Sequence, residues 1–132
     1  NLPKTLAYYL LRIAATALIL GGLHFLWNYW QNEPGYIRER TLSFHIFIAV
    51  LTYIAGAASF AIGFRKFHLT GYVFLGLSVV KIAIAIGYLF PSLDLPKERA
   101  IPIFLHFFVP YFVYLMVEAY AILRFLNRHS PR

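Results

Sequence analysis

The sequence predicts an all-α membrane protein, with four transmembrane helices in an up-down bundle and both termini in the cytoplasm. Three observations carry that expectation. First, 61% of the 132 residues are hydrophobic and only 13% are charged, whereas a soluble domain has about 25% charged residues. Second, the apolar residues gather into long runs at about 6–30, 42–64, 69–90 and 101–125. Each is close to the roughly 20 residues that cross a bilayer at about 1.5 Å per residue. Third, the basic residues are unevenly placed. Lys4, Arg12, Arg65, Lys66, Arg124, Arg128 and Arg132 would share one side with no exposed acid. Arg38, Arg40, Lys97 and Arg99 on the other side are offset by Glu33, Glu39, Asp94 and Glu98. Segments rich in Lys and Arg stay in the cytoplasm. The runs use almost the whole chain, which leaves one domain, 1–132, and no room for a soluble module.

Segment one runs from about Leu6 to Trp30. Trp27, Tyr29 and Trp30 close it as an interfacial anchor. Ala14, Ala15, Gly21 and Gly22 are small enough for another helix to approach. Its length and Arg12 favour a membrane helix over a cleavable leader. A polar loop, 31–40, follows, with Pro34-Gly35 as its turn signal and Thr41 as a cap for segment two. Ala55, Ser59 and Gly63 recur at four-residue spacing in segment two, a stripe suited to helix packing. Arg65 to His68 is too short to be anything but a tight turn, so segments two and three form an antiparallel hairpin. Gly71 and Gly76 in segment three read as packing residues. Pro91 to Arg99 forms the second polar loop. Pro102 suits the first turn of segment four, and Pro110 predicts a kink within it.

The net charge of +7 comes from basic residues scattered at helix ends. In a membrane protein this points to anionic lipid headgroups rather than nucleic acid. No cysteine is present, which excludes disulfides, thiol catalysis and iron–sulfur clusters. There is no Ser-His-Asp set, no pair of catalytic carboxylates and no phosphate-binding glycine loop. Interfacial belts and lipid-facing rings account for most of the 19% aromatic content. The expectation is a protein that is not an enzyme, with membrane lipids as its first partners.

Two charges fall deep inside the apolar runs: Lys81 in segment three and Glu118 in segment four. A lysine at mid-bilayer costs about 3 kcal/mol on insertion scales, so it is normally paired, snorkelled or functional. With segments three and four antiparallel, the tilt of each Cα–Cβ bond toward its own helix N-terminus makes these two side chains converge. Arg12 lies at a depth close to that of Glu118, so an Arg12–Glu118–Lys81 cluster is geometrically open. Such a cluster could simply fix helix register, or it could meet an ion, a lipid headgroup or a partner's charged helix.

His24, His45 and His106 lie on three different helices, each one to two turns from the same end at the helical rise. Three imidazoles can bind zinc or copper, and two can ligate haem. Against this, no two share a helix at i, i+4 and no carboxylate accompanies them. Hydrogen bonding within the bundle, or toward headgroups, is the plainer expectation. No cofactor is therefore expected, with haem or a divalent metal at His24, His45 and His106 as the lesser reading. His68 and His129 sit in a turn and a tail and are expected to be solvated.

The stretches Gly71-Tyr72-Val73-Phe74-Leu75-Gly76 with Lys81, and Val109-Pro110-Tyr111-Phe112 with Leu115-Met116-Val117-Glu118, carry a resemblance. From about Phe67 to Asn127 the chain resembles a group of small four-helix bacterial membrane proteins encoded beside F-type ATP synthase genes. These look like distant relatives of that operon's I protein. The resemblance implies that Lys81 matches the family's third-segment lysine and Glu118 its last-helix glutamate. It also implies the bacterial inner membrane, a helper role in assembling the rotor ring with the c or a subunits as partners, and an ion-handling role. The longer charged loop at 91–99 and the histidine layer depart from the I protein. The expected function is therefore a membrane assembly or accessory protein for the ATP synthase membrane sector. The alternatives are an accessory subunit of a respiratory or photosynthetic electron-transfer complex, and a small ion transporter.

Overall fold

A computed structural model describes residues 1–129; Arg132, counted above with the basic tail, lies outside the described residues. Helix α1 spans Leu2–Trp30, α2 Gly35–Arg65, α3 Thr70–Leu89 and α4 Lys97–His129. Single 3-10 turns at Phe67–Leu69 and Phe90–Asp94 flank α3. These are four helices long and apolar enough to cross a membrane, and no strand occurs among the described residues.

The helices outrun the apolar segments that announced them. Helix α2 starts at Gly35 with Pro34 in the N-cap position, so most of the expected 31–40 loop is helical. Ile37 explains the extension, because it is buried in the core, while Arg38, Glu39 and Arg40 hold a helix well on its wet side. Thr41 is accordingly not a cap. It lies two turns inside α2, where its hydroxyl donates to the Ile37 carbonyl at 3.1 Å. Helix α4 begins at Lys97, which places Pro102 in the helix interior rather than in its first turn, and α4 continues through both Pro102 and Pro110.

The turn from α1 to α2 is built by one residue. Asn32 has φ of 51°, the left-handed region that asparagine tolerates better than most. Its N–H donates to the Tyr29 carbonyl at 3.3 Å, and the Glu33 N–H donates to the Asn28 carbonyl at 3.0 Å. This pair of bonds is a Schellman motif, with proline following as it often does. The motif ends α1 sharply and fixes where Glu33 projects.

Helix α2 packs against each of the other three helices, and its buried residues run along most of its length. The core divides into two apolar clusters. One surrounds Phe44, Ile48, Ala85, Leu89, Phe107 and Tyr111, at the end that carries the α1–α2 and α3–α4 connections. The other surrounds Tyr9, Ile13, Phe60, Ile122 and Phe125, at the end that carries the N-terminus and the 65–69 turn. These are called the loop end and the terminal end below.

Ala55, Ser59 and Gly63 are all buried. At Gly63 a Cβ would come within 2.6 Å of Thr70 Oγ1 and 2.8 Å of Phe125 Cε1. The tightest glycine contact lies elsewhere, however, at Gly56, where a Cβ would overlap the Tyr9 ring. The small residues of α1 do not form the expected packing face. Ala14, Ala15 and Gly22 are exposed, and only Gly21 looks inward, toward His45 at 3.8 Å. Gly71 and Gly76 likewise meet nothing within 4 Å. The reason is register: α1 turns Tyr9, Ile13 and Asn28 inward, and α3 turns Thr70, Lys81, Ala85 and Leu89 inward.

Candidate functional site

Two polar constellations lie inside the apolar shell, and the inner face of α4 supplies residues to both. The first is an ion pair. Lys81 of α3 donates from Nζ to Oε1 of Glu118 on α4, and both residues are almost wholly buried, at 2% and 0% exposure. Lys81 is one of few inward residues on α3, in register with Ala85 and Leu89. Glu118 continues the buried face of α4 from Tyr111 and Tyr114 and is followed by Ile122. The pair therefore sits at the seam between the two apolar clusters. The second carboxylate oxygen, Glu118 Oε2, is buried without a hydrogen-bond partner, and so is the Tyr111 hydroxyl.

Arg12 does not join this pair. Its guanidinium lies over the Tyr120 ring, 5.1 Å from the centroid. Helix α1 buries Tyr9 and Ile13, and Arg12 falls on the flank of that stripe. It therefore turns toward the terminal end, where a groove of about 610 Å³ is lined by Tyr9, Arg12, Ala121, Arg124 and Arg128 among others.

The second constellation is the histidine layer, which the fold gathers into a chain. His24 Nδ1 lies 2.9 Å from His45 Nε2, and His24 Nε2 lies 2.8 Å from His106 Nδ1. At the inner end, His45 Nδ1 is 3.1 Å from the Tyr114 hydroxyl. At the outer end, His106 Nε2 is 3.6 Å from Glu33 Oε1, beyond hydrogen-bond distance but close enough for an ion pair. The Asn32 turn places Glu33 there. The sequence marks Glu33 only as a loop charge and announces no carboxylate beside these histidines. Nothing in the spacing of Glu33 and His106 announces the contact, because it depends on a turn residue in the left-handed region.

The geometry tests whether these histidines fit a metal or a haem. His24 engages its two neighbours through nitrogens on opposite edges of one ring. A metal needs each ligand nitrogen at about 2.0–2.1 Å, so no single ion reaches all three rings. His24 and His106 are near-parallel, at 14° with centroids 5.1 Å apart, and their nitrogens touch. That leaves no slot for a macrocycle between them. The residues as placed do not fit either group, and they satisfy one another by hydrogen bonds instead. An apolar groove of about 510 Å³, lined by Leu23, His24, Trp27, His106, Val109 and Pro110 among others, runs past the His24–His106 edge.

A further polar contact ties α1 to α2 near this layer. The buried Asn28 donates from Nδ2 to Thr41 Oγ1 at 2.6 Å. The sequence reading missed it, since a single Asn before an aromatic cluster looks like interfacial polarity. His68 is exposed in its turn. His129 donates from Nδ1 to the Phe125 carbonyl at 3.1 Å at the end of α4.

No family model, no curated protein and no solved structure matches this chain.

Proposed function

We propose that this protein is a non-enzymatic accessory protein of the bacterial inner membrane that assists assembly of the F-type ATP synthase membrane sector. In this reading it is an up-down bundle with both termini cytoplasmic, and its partners are lipids and the c or a subunits. One observation carries the reading: the two residues that mark the family resemblance, Lys81 and Glu118, meet in a single buried ion pair. Two markers from separate segments thus have one joint structural reason to be present. The partner's identity rests on the resemblance alone.

The outer surface supplies a docking face consistent with this role. Helix α3 buries only Thr70, Lys81, Ala85 and Leu89. Its outward side is apolar, and Gly76 and Gly87 meet nothing within 4 Å, so another helix could approach its backbone closely. The buried pair then acts from behind, holding α3 against α4 while α3 presents that face.

The test is gentle native purification of the tagged full chain, with mass spectrometry of co-purifying proteins. Enrichment of ATP synthase c or a subunits, lost in Gly76→Leu, is the expected result. Enrichment of cytochrome or quinone-enzyme subunits instead would overturn the reading.

A further inference from the structure

We propose that the histidine chain is the loop-end limb of a proton path through the bundle. The path runs from Glu33 through the three imidazoles and Tyr114 to the Lys81–Glu118 pair, and on to the basic groove at the terminal end. The inference goes beyond the accessory role and does not depend on it.

The argument begins with the bonding capacity of each group. A neutral imidazole has one N–H donor and one acceptor nitrogen, and an ionised carboxylate only accepts. The arrangement that aims an N–H at Glu33 therefore puts the His106 proton on Nε2 and leaves its Nδ1 to accept from His24 Nε2. His24 Nδ1 must then accept from His45 Nε2, and His45 Nδ1 accepts from the Tyr114 hydroxyl. In this arrangement all three rings carry the proton on Nε2 and every donor points toward Glu33; with all three on Nδ1, every donor points toward Tyr114. Three histidines serving only as separate structural anchors would have no need to join end to end, with His24 engaging a histidine through each of its nitrogens.

A chain so aligned moves a proton with no charge left on any ring. His106 gives its Nε2 proton to Glu33 and takes one on Nδ1 from His24. His24 is replenished by His45, and His45 by the Tyr114 hydroxyl. The proton held by the Lys81–Glu118 pair, one turn along α4 and not hydrogen-bonded to Tyr114 in this structure, replaces the hydroxyl proton, and the pair is left one proton short until it is refilled from the terminal end. Each ring gains one proton and loses one, so one proton passes from the pair to Glu33. Every ring then carries its proton on Nδ1 and must turn back before a second proton follows the same way; from that state a proton loaded on Glu33 runs the sequence in reverse.

Beyond Tyr114 the remaining polar groups lie on α4 and around the terminal-end groove. Tyr111, Tyr114 and Glu118 share the buried face of α4. The Tyr111 hydroxyl and Glu118 Oε2, like Asn28 Oδ1, are buried without hydrogen-bond partners, which is costly in an apolar interior. One turn beyond Glu118, Ala121 opens the terminal-end groove with Arg12, Arg124 and Arg128. The groups facing the rings are Tyr114 from α4 and Glu33 from the turn, and the Asn28–Thr41 pair lies about one turn along α1 and α2 from His24 and His45. Lys81 is the sole charge contributed by the buried face of α3.

The experiment is proton flux into liposomes holding the purified full chain, a potassium diffusion potential set with valinomycin, and an internal pH dye. The wild type is expected to acidify the lumen faster than protein-free liposomes. Tyr114→Phe removes one oxygen and keeps the ring, and it should return the rate to the protein-free leak, as should His24→Phe. His68→Ala, in an exposed turn, should conduct like the wild type. Circular dichroism confirms that each variant is helical, and Tyr114→Phe carries the decision if His24→Phe unfolds. Wild-type flux equal to the leak, or a folded Tyr114→Phe that conducts fully, would overturn the path.

Discussion

Lys81 and Glu118 show how a residue can be legible in kind and open in role. A charge in mid-bilayer needs a partner, and the helix geometry of α3 and α4 left little choice of which. The pair is consequently stabilising only as a pair. Removing one partner from a buried ion pair costs about 3–5 kcal/mol, because the other charge is stranded, whereas replacing both with apolar residues of similar size is often neutral. Glu118→Leu alone should therefore lower the melting temperature in detergent sharply. Adding Lys81→Met should recover most of that loss. Additive losses in this double-mutant cycle would show that the two side chains do not depend on each other. Arg12 was legible in depth but not in direction. Depth follows from position along the helix, while direction depends on the buried stripe of α1, whose apolar residues are too uniform to reveal it.

At the scale of elements, existence was easy to read and ends were not. Hydropathy measures the length that lipid can cover, and a helix continues past that length wherever its wet turns still pack. Ile37 carries α2 back to Gly35, and Ala100 and Ile103, both buried, accompany the early start of α4. Small residues misled for a related reason. In an apolar helix every face looks alike, so glycine alone does not say which face meets protein. The structure separates the two kinds, and the separation is testable. Gly56→Ala would force a Cβ into the Tyr9 ring, and overpacking of that sort costs about 1–3 kcal/mol. Gly76→Ala should leave thermal stability unchanged, since nothing lies within 4 Å. The α1–α2 turn gives a second contrast. Asn32→Gly should match or exceed the wild type, and Asn32→Val should lose about 1–2 kcal/mol, because a β-branched residue resists the left-handed region. Equal melting temperatures for Asn32→Gly and Asn32→Val would remove the turn from the account.

For the molecule as a whole, the two ends differ in charge in a way that bears on how it sits in a membrane. The terminal end carries Arg12, Arg124 and Arg128 around one groove with Arg65 and Lys66 at the neighbouring turn. At the loop end the charges are mixed. Arg40 donates to the Tyr36 carbonyl at 2.6 Å, Arg99 lies over the Tyr36 ring, and Glu33 faces His106. The exposed Trp27, Tyr29 and Trp30 form an aromatic band near that end. A bundle with this asymmetry should insert with its terminal end in the cytoplasm. The absence of native cysteine makes the test direct, because any introduced thiol is unique. Gly35→Cys, at the exposed start of α2, should react with a membrane-impermeant maleimide added to intact cells. His68→Cys, in the exposed 67–69 turn, should react only after the membrane is opened. Labelling of both in intact cells, or the reverse pattern, would invert or abolish the assigned sidedness. It would also reverse which compartment loads Glu33, since the histidine chain opens at the loop end and the arginine groove at the other.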